Sequence, residues 1–428
     1  MDVVVIIFVI CSIYYSFGKK ESNTCKTFAD YNTVDTNPNC WYNPDVTATV
    51  PEMIKRHGYP LEEYETVTKD KYILKVYRIP RKENECKGVF FLQHPAFLTS
   101  AVYTDLGNQS LAFYLWDEGY DVWMGNFRGT IYSPNHEKLS QKTQTNQYWN
   151  FSFHEFGIYD LPAFIDLCRE KTHFKYKIYF IGHSVATSAA LIYASLLVEH
   201  AEDNVQLLTL WSPMAFMGHG YSLAGVLAPF ANLIMAVAEL VHVTYTPEYN
   251  GLIHRSIEDF CEHGSMQFCY DIFQLMFGPD IMHVQPEWFP LAIYQSFAGF
   301  PLKAIVHNYQ IIDAKGRFQF FDYGFIKNLE YYHSGVPPSY PIKNIRTPVY
   351  IVHGGNDAMS PSQDARHLYD QLNKNVRYGI RLIPGYAHMD FQYGKDIRKV
   401  LYKPTLKAIE EMKIERKQSL KSLINRRT

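Results

Sequence analysis

The chain has 428 residues, 47% hydrophobic and 20% charged, a globular balance with enough apolar material for one large core carrying an insertion. Forty-one basic against 43 acidic residues leave a formal net charge of −2, and no basic stripe runs through the body, so no nucleic-acid partner is expected. Aromatic residues are abundant, with 33 Tyr and 28 Phe, which fill cores and also suit a chain that handles apolar ligands.

Residues Val3 to Phe17 are apolar throughout and then give way to Gly18-Lys19-Lys20. A membrane-spanning helix needs about 20 apolar residues, so segment 1–18 reads as a secretory signal. An uncleaved anchor is the alternative, because Asp2 replaces the usual positive charge and the lysines follow the apolar run. Secretion makes the cysteines readable. Cys261 and Cys269 close a short loop and are expected to form a disulfide, with Cys25 and Cys40 a second pair. Cys168 reads as a free buried thiol within a helix. The sequons at Asn108 and Asn150 are candidate glycosylation sites on the same route.

Residues 19–50 read as coil. Glu65–Thr68 and Tyr72–Ile79 pair as strands around Asp70-Lys71, and Gly88–Gln93 is a continuous apolar run typical of a strand buried on both faces. A helix over Ser110–Glu118, a strand over Tyr120–Met124, a helix over Asp160–Lys171, a strand over Lys177–Ile181, a helix over Ala186–His200 and a strand over Val205–Trp211 follow. This alternation predicts an α/β fold with a mostly parallel sheet flanked by helices. Residues 51–213 form its first part. From 214 to 342 the strand rhythm stops and long apolar stretches predict a helical cap. The rhythm resumes over 343–412 with strands at Val349–Val352 and Tyr378–Ile383. Between them a helix starts with Ser360 as N-cap, Pro361 first and Gln363 completing a capping box. The basic tail, 413–428, is expected to fray.

Chemistry enters at Gly182-His183-Ser184-Val185-Ala186, a strand-to-helix corner of the G-x-S-x-G type with alanine in the last place. A serine hydroxyl needs a base to take its proton and a third group to orient that base. In this arrangement the acid and then the histidine come from loops after later strands. Asp357 follows the strand ending at Val352, and His388 follows the next one. Asp390 is a weaker candidate for the acid, since two residues of separation on one loop make the orienting geometry harder. His183 and His353 read as packing groups. The Val185 N–H is one oxyanion donor, and the loop His94-Pro95-Ala96-Phe97 should supply the other from Ala96. Proline there restricts the loop's shape. The 17 histidines show no metal-ligand spacing, so neither metal nor cofactor is expected.

From Asn39 to Met412 the chain resembles the acid lipases, the gastric and lysosomal enzymes and their insect relatives. The resemblance is carried by His57-Gly-Tyr-Pro60, Leu92-Gln-His94, Tyr120-Asp-Val-Trp123, Gly125-Asn-Phe-Arg-Gly129, Trp149-Asn-Phe-Ser-Phe153, Tyr159-Asp-Leu-Pro162, Phe321-Asp-Tyr-Gly324 and Gly354-Gly-Asn-Asp357. It implies an α/β-hydrolase core with a helical cap and hydrolysis of neutral-lipid esters. It assigns Ser184 as nucleophile, Asp357 as orienter, His388 as base, Ala96 and Val185 as oxyanion donors, and a cap disulfide to Cys261–Cys269. Three motifs depart from the family pattern: Val185-Ala186 stand after the nucleophile, Pro95 follows His94, and Lys71 follows Asp70, the last expected to be a surface change. The expectation is a monomeric, secreted or lysosomal lipase meeting its substrate at a membrane or droplet interface. The rival is a lipid carrier on the same scaffold, motivated by Pro95 and Ala186.

Overall fold

The computed structural model describes residues 22–425 apart from 174, 247–251, 280–283, 297 and 315, so the expected signal at 1–18 lies outside the described residues. A short ribbon opens the fold, β1 (Thr24–Cys25) against β2 (Cys40–Trp41). The main sheet contains β3 (Glu62–Val67), β4 (Tyr72–Ile79), β5 (Val89–Gln93), β6 (Asp121–Gly125), β7 (Asn135–His136), β8 (Ile178–His183), β9 (Val205–Trp211), β10 (Val349–Gly354) and β11 (Arg377–Ile383). Its order is β11-β10-β9-β8-β5-β6-β4-β3, with the two-residue β7 on β4. From β11 to β6 every neighbour is parallel, whereas β3, β4 and β7 are antiparallel additions at one edge.

The inner parallel strands β5, β6, β8 and β10 are buried along their whole length, which explains why they read as apolar runs, whereas the edge strand β11 is mostly half-buried. Successive side chains still alternate. Phe90, Leu92, Val122 and Met124 enter one core, while Val89, Phe91, Trp123 and Phe180 enter the other. The first core is closed by α1 (Leu111–Asp117) and the long C-terminal helix. The second is closed by α2 (Leu161–Lys171) and α3 (Val185–Leu196). Parallel neighbours need such crossovers.

Between β9 and β10 the chain is mainly helical. It includes a short helix at Leu223–Leu227, α4 (Ala231–Leu240), α5 (Met266–Phe277), α6 (Leu302–Asp313) and α7 (Phe325–Tyr332). The Cys261–Cys269 disulfide, S–S 2.07 Å, lies within it. Cys25–Cys40 is the second disulfide, and Cys168 is a buried free thiol.

Several expectations need correction. The described part of segment 19–50, residues 22–50, is not simple coil. Besides the stapled ribbon it holds a 3-10 helix at Phe28–Thr33, and Phe28 stacks on Tyr270 of the cap at 4.5 Å. The helix expected to run to His200 stops at Leu196, because Leu197 leaves helical geometry before a second helix at Val198–Asn204. Residues 413–425 continue the helix Lys403–Asn425, and the Lys413 ammonium donates to the Tyr120 hydroxyl at 3.0 Å. Lys71 is exposed, as expected of a surface change, and stands at φ 82°; its neighbour Asp70 accepts from Arg128 at 2.8 Å. That guanidinium is fully buried and its Nε also donates to Asp160 at 2.7 Å.

Candidate active site

Between β8 and α3 the chain turns on one residue. Ser184 has φ 58° and ψ −125°, a strained conformation that lifts its hydroxyl out of the corner. Ala186 fits this corner. A Cβ at position 182 would lie 3.2 Å from the Ala186 methyl and 2.8 Å from the Phe180 ring, so glycine at 182 makes the room.

The structure brings the three separated side chains together. His388 Nε2 is 2.8 Å from Ser184 Oγ, and His388 Nδ1 is 3.0 and 3.1 Å from the Asp357 carboxylate oxygens. Ser184, His388 and Asp357 are 4, 1 and 1% exposed. Asp357 leaves the end of β10, and its Oδ1 accepts the N–H groups of Met359 at 2.9 Å and Ser360 at 2.8 Å. Those bonds explain a further correction. Ser360 is not an N-cap: its hydroxyl donates to the Pro213 carbonyl, and α8 (Ser362–Gln371) begins two residues later with no side-chain cap.

Asp390 does not orient the histidine. Its Oδ2 accepts the Ala387 N–H at 2.7 Å and closes the loop that carries His388. His183 supports the same loop through Nε2, 2.9 Å from the His388 carbonyl, and burial holds it well below the usual histidine range. His353 lies 3.1 Å from the Ser362 hydroxyl and is lowered to about 4, chiefly by burial.

The expected oxyanion donors lie at one edge of the sheet. Gln93 pairs with Gly182 in adjacent parallel strands, and Ala96 and Val185 each follow three residues later. Val185 opens α3, where an N–H has no partner in the helical ladder. His94 shapes the other loop. Its Nε2 accepts the Phe127 N–H at 3.0 Å, which leaves Nδ1 to donate to the Pro95 carbonyl at 2.8 Å. Burial lowers His94 to about 4 and keeps it neutral for this role. Phe97 takes the left-handed turn, φ 63°, and its carbonyl accepts the Ala298 N–H of the cap at 3.0 Å. Proline at 95 is thus compatible with a closed loop.

Three contacts were missed by reasoning from sequence. Ser212 Oγ donates to Asp357 Oδ2 and lies 2.8 Å from His388 Nδ1. Met214 Sδ is 2.9 Å from Ser184 Oγ. Phe277, the last residue of α5, stacks on the His388 ring. The one available signal was position, since Ser212 directly follows β9 at the strand ends where such sites are built.

Both sequon asparagines are exposed; Asn108 is in a 3-10 turn, and Asn150 Oδ1 accepts from Lys303 Nζ at 2.9 Å. Among the described residues no group of three or more His, Cys, Asp or Glu is placed to hold a metal ion.

A strained serine between parallel strand and helix, facing an imidazole and a carboxylate from later strand ends, defines the molecule as an α/β-hydrolase. Residues 50–105 match the family model described as partial alpha/beta-hydrolase lipase region. The chain is 32% identical to lipase member K of Mus musculus, over 86% of this chain and 92% of that one. It is 30% identical to gastric triacylglycerol lipase of Bos taurus, over 87% of this chain and 93% of that one. A soluble variant of monoglyceride lipase from Saccharomyces cerevisiae shares the fold at 14% identity, with TM-score 0.50 over 85% of this chain and 96% of that one. The chain belongs to the acid lipase family, whose members are carboxylic ester hydrolases.

Proposed function

We propose that this protein hydrolyses carboxylic esters of neutral lipids, acylglycerols or sterol esters, through an acyl-enzyme on Ser184. The observation that carries the reading is the continuous line from the Ser184 hydroxyl to His388 Nε2 at 2.8 Å and from Nδ1 to Asp357 at 3.0 Å. His388 takes the hydroxyl proton as Ser184 attacks the ester carbonyl, and Asp357 stabilises the imidazolium that forms. The tetrahedral oxyanion rests on the N–H groups of Ala96 and Val185. His388 then protonates the departing alcohol, and water, deprotonated by the same imidazole, releases the acid.

The substrate's apolar nature is supported by the cap. Leu233, Val237 and Leu240 of α4 are 61, 50 and 79% exposed. They recur at helical spacing on one face, while Ile234, Met235 and Ala231 pack inward with α6. Such a face suits a lipid surface, where the ester would be met. Two disulfides support passage through the secretory route, to the lysosome or outside the cell. The carrier alternative loses its motive, because Ala186 fits its corner and His94 closes the loop that contains Pro95.

The test is hydrolysis of a triacylglycerol emulsion, a sterol ester and a soluble short-chain ester by wild type and Ser184→Ala. Wild type is expected to cleave at least one lipid ester and the variant none. Undiminished hydrolysis by Ser184→Ala would sink the reading.

A further inference from the structure

Ser212 touches two of the three catalytic groups and nothing so far gives it a task. It is buried immediately after β9, with φ 50°, and its N–H donates to the Val352 carbonyl at 2.8 Å. A non-glycine residue kept in the left-handed region at a strand end is held there by its surroundings. Two residues on, Met214 is pinned by its N–H to Thr187 Oγ1 at 2.9 Å and by its carbonyl to Ser188. The segment 212–214 therefore runs between the nucleophile helix and the loop of Asp357.

Proton counting fixes the direction of each bond. Because His388 Nδ1 faces the Asp357 carboxylate, which only accepts, Nδ1 carries the ring hydrogen and Nε2 is left to accept the Ser184 proton. That N–H faces the carboxylate oxygens at 3.0 and 3.1 Å and the Ser212 oxygen at 2.8 Å. The Ser212 hydrogen is committed to Asp357 Oδ2. One hydroxyl thus donates to the acid while accepting from the base. We infer that Ser212 is a positioning residue for the proposed hydrolysis: its hydroxyl fixes the His388 ring against Asp357 and tempers the charge that the carboxylate presents to the imidazolium. The inference rests on the ester-hydrolase reading.

The other groups around this pair are accounted for. His183 faces the imidazole at 4.9 Å between ring centroids and is kept neutral by burial. Asp390 points its Oδ2 at the Ala387 N–H. His353 and Tyr221 feel the charge of Asp357. From the cap, the uncharged Phe277 ring covers the imidazole.

A carboxylate relieved of one donor attracts the imidazolium more strongly, so the base is lost to protonation at higher pH. The test is the pH dependence of kcat/KM on a soluble short-chain ester for wild type, Ser212→Ala, Ser212→Gly and Ser212→Cys, with Ser184→Ala alongside. Glycine accepts the backbone of residue 212 at no steric cost and keeps the test valid if the alanine variant does not fold. In both hydroxyl-free variants kcat is expected to fall about tenfold, the rate equivalent of one charge-assisted hydrogen bond. The acidic limb should move up by about half a pH unit, and the far-downfield proton signal of Nδ1–H should shift. Cysteine should restore part of each. A fall in kcat with limb and resonance unmoved would reduce Ser212 to a packing residue, and wild-type behaviour would remove it altogether. Hydrolysis retained by Ser184→Ala would instead overturn the ester-hydrolase reading.

Discussion

Phe277 and His388 lie ring against ring, with centroids 5.9 Å apart and planes 11° from parallel, and the His388 N–H donates to the Phe277 carbonyl at 3.1 Å. The end of a cap helix therefore rests directly on the proposed base. The next residue makes that approach possible. Gly278 has φ 111°, and a Cβ there would lie 2.1 Å from the Asn356 carbonyl oxygen. Gly278→Ala should unseat α5 and lower kcat/KM on any ester by about tenfold to a hundredfold, as small misplacements of reacting groups do. Far-UV circular dichroism should stay that of the wild type. Wild-type activity in this variant would show that the docking of the cap does not matter to the chemistry.

The outer face of the cap should act separately from the reaction. Leu233, Val237 and Leu240 changed together to serine would each forgo about 1 kcal/mol of apolar transfer into lipid, together about a hundredfold in affinity. Flotation with phosphatidylcholine vesicles or triolein droplets measures the loss. Hydrolysis of a soluble short-chain ester should be unchanged. Equal lipid binding by wild type and variant would place the lipid-facing surface elsewhere.

The loop before Ala96 is shaped by His94 rather than by Pro95. Pro95→Gly should alter kcat by less than about threefold, because the two bonds of the His94 ring and the turn at Phe97 remain. His94→Ala removes those bonds and should cost on the order of a hundredfold, comparable to losing one oxyanion donor. A large gain from Pro95→Gly would show instead that proline distorts the hole.

Asp105 gives the fold a pH dependence of its own. It is buried, receives the Tyr393 hydroxyl at 3.1 Å, and burial pushes its carboxyl up to about 8. The unfolded chain would release this proton near the ordinary value of about 4. Between about 4 and about 8 the native state holds a proton that the unfolded state does not, so stability falls as pH rises through that window. Asp105→Asn removes the titration. Its Tm should match the wild type near pH 4 and exceed it near pH 8, and parallel Tm curves across that range would contradict the assignment.

What was legible in the sequence follows from how local each signal is. Ser184 and Asp357 could be located because each sits just past a strand buried on both faces, which announces itself as an apolar run, and His388 because it follows the next strand in the chain, the half-buried β11. Ser360 shows the limit. Its local pattern is that of an N-cap, but the Pro213 carbonyl and the Asp357 carboxylate compete for its groups and win. Ser212 and Phe277 act only through elements far apart in the chain, which meet where β9 and α5 end. No local pattern carries that information. Segment 19–50 reads as coil because its strands are two residues each, too short to carry a periodic pattern, and they pair where the Cys25–Cys40 disulfide joins them.

The central claim is that His388 activates Ser184. A fluorophosphonate ester, which reacts only with an activated serine, followed by peptide mapping, tests it directly. The account expects one phosphonyl group, on Ser184, in wild type, and none when His388 is changed to Ala. A folded wild-type protein left unmodified, or modified at another residue, would contradict it.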